Sequence, residues 1–184
     1  MAAATIEQAV AALRAGGIVL HPTEAVWGLA CDPFNAAAVA AVYALKQRQA
    51  GKGLILVADD FSRLAPLLAP VPDGKMRAVA ATWPGPHTWI FPVSEQCPPW
   101  LAGERASLAV RVSAHPLLRA LSSAFAGPLV STSANRSGQQ APRTLDEVDA
   151  QLRADVAATV PGVTANLLRP TPIRDVRTGE VLRD

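Results

Sequence analysis

The sequence predicts an α/β domain in which a twisted mixed sheet is flanked by helices, and three observations lead there. Its 184 residues suit one domain able to bury a core without metals or crosslinks. Apolar runs of strand length and amphipathic stretches of helical period are interspersed, without the strict βαβ alternation of a doubly wound parallel sheet. Neither an internal repeat nor a linker divides residues 1–184, so one domain is expected over the whole span.

The elements follow in order. Residues 5–15 carry Thr5 and Gln8 at capping-box spacing, Ile6, Val10 and Leu13 on one face, and Gly16-Gly17 as a stop, which predicts a helix. Residues 18–20 read as a short buried strand, 21–24 as a turn, and 25–31 as a second extended stretch relaxed by Gly28. Asn35 caps a predicted helix over 36–46, with Val39, Val42 and Tyr43 at helical spacing. The apolar run 54–58 is a strand, followed by Asp59-Asp60, by a helical stretch through Leu68 that Pro70 and Pro72 end, and by a short helix over 74–82. After the turn 83–86 come a strand at 88–93, a Pro-rich loop at 94–104 and another strand at 107–112. His115-Pro116 opens a helix to about Phe125, and the strand 129–132 empties into the polar loop 133–143. Thr144 and Glu147 repeat the capping-box spacing and predict a helix to about Arg153, and 173–182 reads as a hairpin around Thr178-Gly179.

Composition narrows the function classes. Half the residues are hydrophobic, much of that alanine, yet no stretch approaches the roughly 18–20 apolar residues of a membrane span. The N-terminus lacks the basic start, apolar core and cleavage site of a secretion signal, so a soluble cytoplasmic protein is expected. Cys31 and Cys97 are too few for a disulfide framework and form no Cys-x-x-Cys pair. A formal charge of +2 and a pI near 8.8 neither demand nucleic-acid binding nor exclude it.

The common catalytic fingerprints are missing: Gly51-Lys52 is not a Walker loop, no Gly-x-Gly-x-x-Gly follows a strand, and no Gly-x-Ser-x-Gly elbow occurs. His21, His87 and His115 are scattered without metal-ligand spacing, and no metal site is expected.

Two clusters remain. Lys46-Gln47-Arg48, with Lys52 behind it, stands where a helix ends, and its cations suit either an anionic ligand or the helix macrodipole. Ser131-Thr132-Ser133-Ala134-Asn135 stands where a strand opens into a polar loop, and suits either phosphate oxygens or a self-capped turn. Pro22-Thr23-Glu24 places a hydroxyl and a carboxylate just past a buried strand, a common site of ligand contact. Arg111 interrupts the apolar strand Leu108-Ala109-Val110-Arg111-Val112, where it needs a partner or ligand if buried, or an exposed edge if not.

Together with His21-Pro22-Thr23-Glu24-Ala25-Val26-Trp27-Gly28, Lys52-Gly53-Leu54, Trp83-Pro84-Gly85-Pro86-His87-Thr88 and Leu129-Val130, these segments resemble the threonylcarbamoyl-AMP synthases of the YrdC-like family in their short single-domain form. Ile173-Arg174-Asp175 and Thr178-Gly179-Glu180 are similar to that form's tail, so the larger C-terminal domain of some relatives is not expected. The resemblance implies a twisted sheet with a large concave active-site face. It implies the formation of threonylcarbamoyl-AMP and pyrophosphate from L-threonine, bicarbonate and ATP, with Mg²⁺ accompanying ATP, for N6-threonylcarbamoylation of adenosine 37 in tRNA. A separate tRNA threonylcarbamoyl transferase complex, met transiently, performs the transfer.

The family's Lys-x-Arg and Ser-x-Asn signatures map onto Lys46, Arg48, Ser133 and Asn135. On this reading Lys46 and Arg48 are the catalytic cations. ATP falls to them with Lys52, Ser131, Ser133, Asn135, Arg143 and Arg174, and threonine to Thr23, Thr88 and Arg111. The chain departs from the family pattern at Gln49, where proline is frequent, and at His87, where an aliphatic residue is usual. The competing reading is a non-catalytic double-stranded RNA-binding or ribosome-maturation factor using the same face. Carbamoyl-adenylate chemistry of the hydrogenase-maturation kind is a closer rival, but its machinery carries acylphosphatase and zinc-finger regions that residues 1–184 lack.

Overall fold

The computed structural model describes residues 3–49, 51, 53–102, 106–165, 167 and 171–183. The first helix, α1 (Ile6–Arg14), is held by a complete capping box: Gln8 N–H donates to the Thr5 hydroxyl and Thr5 N–H donates to the Gln8 side chain. Its buried stripe is Ala9, Val10 and Leu13. The chain turns into an antiparallel hairpin of β1 (Val19–Pro22) and β2 (Trp27–Cys31), and Asn35 caps α2 (Ala36–Leu45) by accepting from Ala38 N–H. There follow β3 (Ile55–Ala58), α3 (Asp73–Ala80), β4 (Thr88–Pro92), α4 (Pro99–Ala102), β5 (Ser107–Val112), α5 (Pro116–Phe125) and β6 (Leu129–Ser133). The last elements are α6 (Ala150–Asp155), β7 (Ala158–Thr159), β8 (Ile173–Asp175) and β9 (Val181–Arg183).

All nine strands join one mixed sheet in the order β7-β1-β2-β6-β3-β5-β4-β8-β9. The pairs β1/β7, β3/β5 and β4/β8 are parallel and the rest antiparallel. Because side chains alternate across a strand, each face has its own core. On one face Leu20, Leu29, Leu56, Phe91 and Val110 pack with Val39 and Val42 of α2, Val79 of α3, Leu101 of α4 and Leu152 of α6. On the other, Val19, Ala30, Val57 and Leu129 pack with α1 and with Leu118 and Leu121 of α5. These two helices cover only part of the second face. Rows that begin under them continue beyond as Gly28, Ile55, Ala109, Arg111 and Ser131, and there the sheet lines a cavity.

Three predicted segments differ from the structure, and a fourth element was not predicted. The stretch from Asp59 to Leu68 is two 3-10 turns (Phe61–Arg63 and Ala65–Leu67), because the Asp60 carboxylate captures Ser62 N–H in a tight turn and Pro66 cannot donate to a longer helix. The Pro-rich loop contains α4, with Pro99 in the helix-starting position where its missing N–H costs nothing. The second capping-box spacing starts no helix: the Glu147 carboxylate accepts from Arg143 N–H, and the helix begins at α6, where Asp149 accepts from Leu152 N–H. The strand β7 is only two residues long, too short to leave a period in the sequence. No helix among the described residues is long and apolar enough to cross a membrane.

Candidate active site

The cavity measures about 820 Å³, within the range of small-ligand sites. Its floor is the uncovered sheet: Gly28 of β2, Ile55 of β3, Ala109 of β5, Ser131 of β6, Ile90 of β4 and Ile173 of β8. Gly28 lies opposite Ser133, and a Cβ there would meet Thr132 O at 3.1 Å and Thr23 Cγ2 at 3.1 Å. A side chain at 28 would therefore crowd the floor and push into the hollow.

One rim grows from the end of α2. The helix stops in a Schellman motif, with Arg48 N–H donating to Tyr43 O (2.9 Å) and Gln47 N–H to Ala44 O (3.0 Å). Gln47 takes the left-handed conformation (φ 49°) that the motif demands at this position. That reversal turns Arg48 into the cavity wall, where its Nη2 donates to Gly53 O at 3.0 Å.

Lys46 behaves differently. It is 2% exposed, and its ammonium donates to the backbone carbonyls of Ser133 and, at 2.7 Å, of Asn135, while its own carbonyl accepts from Ser137 N–H (2.8 Å). Burial, with Arg48 nearby, pushes its pKa down to about 8. In this structure Lys46 is a clamp on the loop after β6 and is not among the residues that line the cavity. The clamped loop presents Ser133 and Asn135 to the cavity. The Asn135 amide nitrogen donates to Arg136 O (2.9 Å) and Gln139 O (2.7 Å), leaving Oδ1 as the atom without a hydrogen bond among the described residues.

The opposite rim is built on strands. Arg111 lies in β5 between β3 and β4, not at an edge, and is 4% exposed. Burial needs a counter-charge, and Glu24, from the turn between β1 and β2, places Oε2 3.3 Å from Arg111 Nη2. The other Glu24 oxygen accepts from Ser113 Oγ at 2.6 Å. Desolvation disfavours the carboxylate's charge, but Arg111 and the Ser113 hydroxyl outweigh it and hold its pKa below the ordinary value. Arg111 Nη1 donates to Thr88 Oγ1 (3.3 Å) and Thr171 Oγ1 (3.0 Å). Thr23 beside Glu24 lines the cavity, its hydroxyl donating to Val26 O at 2.7 Å.

Of the residues expected from sequence, Thr23, Arg48, Arg111, Ser131, Ser133 and Asn135 therefore converge on one cavity. Thr88 stands behind Arg111 and supports it without lining the wall. Arg143 lies outside the wall, donating to Leu167 O at 2.9 Å. Arg174 is not brought to the wall: β8 pairs it with Trp89, so strand alternation turns it to the opposite face beside His87, while its neighbour Ile173 faces the cavity. Lys52 lies outside the described residues. Gln49 lines the cavity and His87 does not.

Sequence reasoning missed Thr171 and Arg183, both in the wall, where Arg183 Nη2 donates to Thr171 O at 2.8 Å. The signal lay in the tail hairpin, whose two-residue period sets Ile173 and Arg183 inward once its pairing is known. The described lining residues include Arg48, Arg111 and Arg183 and no Asp or Glu, so the cavity suits anions. No group of three or more His, Cys, Asp or Glu able to hold a metal occurs among the described residues.

Comparison with known proteins gives this geometry a lineage. Residues 11–184 match the model of the Sua5/YciO/YrdC family, described as "Telomere recombination". The chain is 50% identical over 181 residues to the threonylcarbamoyl-AMP synthase of Stenotrophomonas maltophilia (strain K279a), covering 97% of each. It is 52% identical over 178 residues to the enzyme of the same name from Halorhodospira halophila (strain DSM 244 / SL1), covering 97% of this chain and 93% of the relative. Among solved structures, P. abyssi Sua5 complexed with L-threonine superposes with a TM-score of 0.88 at 27% identity. That match covers 96% of this chain and 52% of Sua5, so this chain spans about half of that protein. By family model and by close relatives along nearly its whole length, the chain belongs to the Sua5/YciO/YrdC family.

Proposed function

We propose that the chain is a threonylcarbamoyl-AMP synthase, a nucleotidyltransferase that joins L-threonine, bicarbonate and ATP and releases pyrophosphate. The observation that carries this reading is the cavity itself, arginine-lined and without a described carboxylate in its wall, in a chain about 50% identical to enzymes of that name. Threonine and bicarbonate condense to N-carboxy-threonine with loss of water. A carbamate oxygen then attacks the α-phosphorus of ATP, a P–O bond forms, and the bond to pyrophosphate breaks. The nucleophile is already an anion, so this step needs alignment and charge neutralisation more than a base.

The two rims divide that work. Arg111, whose Nε is sealed in the interior and whose Nη1 is taken by Thr88 and Thr171, meets the carboxylate of threonine through Nη2, with Thr23 beside it. Arg48 faces the nucleotide's phosphates, and Ser133 and Ser131 hydroxyls line the path between the rims. Mg²⁺ arrives on the phosphates of ATP, because the described wall offers no carboxylate to hold it as a resident ion. The product serves N6-threonylcarbamoylation of adenosine 37 in tRNA by a separate transferase in the cytoplasm. Pyrophosphate release from ATP should require both L-threonine and bicarbonate. Release indifferent to either co-substrate would sink the assignment.

A further inference from the structure

We propose that Glu24 is a positioning residue for the amino-acid substrate, fixing Arg111 so that one guanidinium N–H is left for a carboxylate. The inference rests on the reading that Arg111 meets the carboxylate of threonine. Glu24 starts from the turn after β1, yet its carboxylate reaches β5, two strands beyond β2's neighbour β6 in the sheet order. Both of its ends are anchored. Its carbonyl accepts from Leu167 N–H (3.1 Å), and the Thr23 carbonyl accepts from Ala165 N–H (3.2 Å). At the tip, Ser113 Oγ accepts from His115 N–H (3.0 Å), which directs the hydroxyl proton to Glu24 Oε1 (2.6 Å).

A carboxylate held this firmly fixes whatever it pairs with. Its Oε2 lies 3.3 Å from Arg111 Nη2 as an ion pair without a hydrogen bond, Thr88 and Thr171 occupy Nη1, and Nε is sealed in the interior, so Nη2 is the donor left for a ligand. These three contacts leave the guanidinium one orientation, with Nη2 as its available end in the cavity wall that Arg111 shares with Thr23. Glu24 thus joins Thr23 and Arg111 into one rigid receptor. Its charge also offsets that of Arg111, so this rim favours a singly charged carboxylate that carries an ammonium over a polyphosphate.

Binding of L-threonine and of L-threoninamide, which lacks the carboxylate, is measured by calorimetry on wild type, Glu24→Gln and Ser113→Ala, with ATP binding as the third ligand. Glu24→Gln is expected to weaken L-threonine binding at least tenfold while leaving L-threoninamide and ATP within twofold. Ser113→Ala should repeat that pattern with a smaller loss, and it carries the test where Glu24→Gln fails to fold. Equal losses for all three ligands, or no loss for L-threonine, would overturn the role. Wild type that ignores L-threonine altogether would instead sink the amino-acid reading, and the role of Glu24 with it.

Discussion

At one rim of the cavity Arg48, Ser133 and Asn135 are held by backbone groups of loops and by a single buried ammonium, whereas at the other Arg111 projects from strand β5 and is held by the side chains of Glu24, Thr88 and Thr171. The loop-built rim risks little. Its carbonyls and amides satisfy one another. The strand-built rim sets a charge inside the sheet and stakes part of the fold on its partner. Placement at the two rims therefore differs in cost: the first trades rigidity for tolerance, and the second obtains a fixed guanidinium at the expense of a buried ion pair.

The sharpest way to break this comparison is Arg111→Ala. It leaves Glu24 buried without its counter-charge, and removing one member of such a pair typically costs about 3–5 kcal/mol. Urea denaturation should show a loss of that order, and a loss below about 1 kcal/mol would mean that the strand-built rim is no more committed than the other.

Acid tests the same rim through His21. It is fully buried, its Nδ1–H donates to Pro22 O (3.0 Å), and burial drives its pKa down to about 4. Because the folded pKa lies below the unfolded one near 6.5, the unfolded chain takes up the proton first as pH falls. Stability is fully present above pH 6.5 and is lost on the way to pH 4, by up to about 3 kcal/mol. His21→Phe should flatten that part of the pH–stability curve. An unchanged slope would show that His21 is not held neutral.

Much of the fold was legible because its signals are local. The capping box at Thr5 and Gln8, the Asn35 cap and the apolar runs of β3 and β5 each need only neighbouring residues. The same box at Thr144 and Glu147 misled, because the Glu147 carboxylate is engaged by Arg143 N–H, and spacing does not reveal which donor a side chain finds. At the site, six expected residues met in one cavity, since each sits on a strand end or helix end that the sheet order brings together. What could not be read depended on long-range pairing. The β4–β8 register decides that Arg174 turns away and Arg183 turns in, and nothing near either residue encodes it. The clamp made by Lys46 was illegible for a different reason: a lysine after a helix reads alike whether its ammonium meets a ligand or two carbonyls.

Lys46→Met sharpens the comparison from the loop side. It leaves the Ser133 and Asn135 carbonyls without their donor, for a loss of about 1–3 kcal/mol. The functional signature should be specific: KM for ATP rises, KM for threonine stays within twofold, and the Ser137 amide exchanges faster. Equal rises in both KM values would show that the two rims are not separately built.

The smallest effect is expected at Gln47. Its φ of 49° is a conformation that costs a residue with a side chain about 1–2 kcal/mol, and the Schellman geometry of α2 leaves it no alternative. Gln47→Gly removes that strain but adds freedom to the unfolded chain, an opposing cost of about 0.5–1 kcal/mol. The net result is a stabilisation of less than about 1 kcal/mol, visible as a small upward shift of Tm. The turn itself should survive, because its hydrogen bonds from Arg48 and Gln47 are made by the backbone, so Arg48 keeps its place in the wall and KM for ATP holds. A rise in KM for ATP without loss of stability would instead mean that the left-handed residue, and not the hydrogen-bonded turn, aims Arg48, making the loop-built rim as dependent on one side chain as its strand-built counterpart is on Glu24.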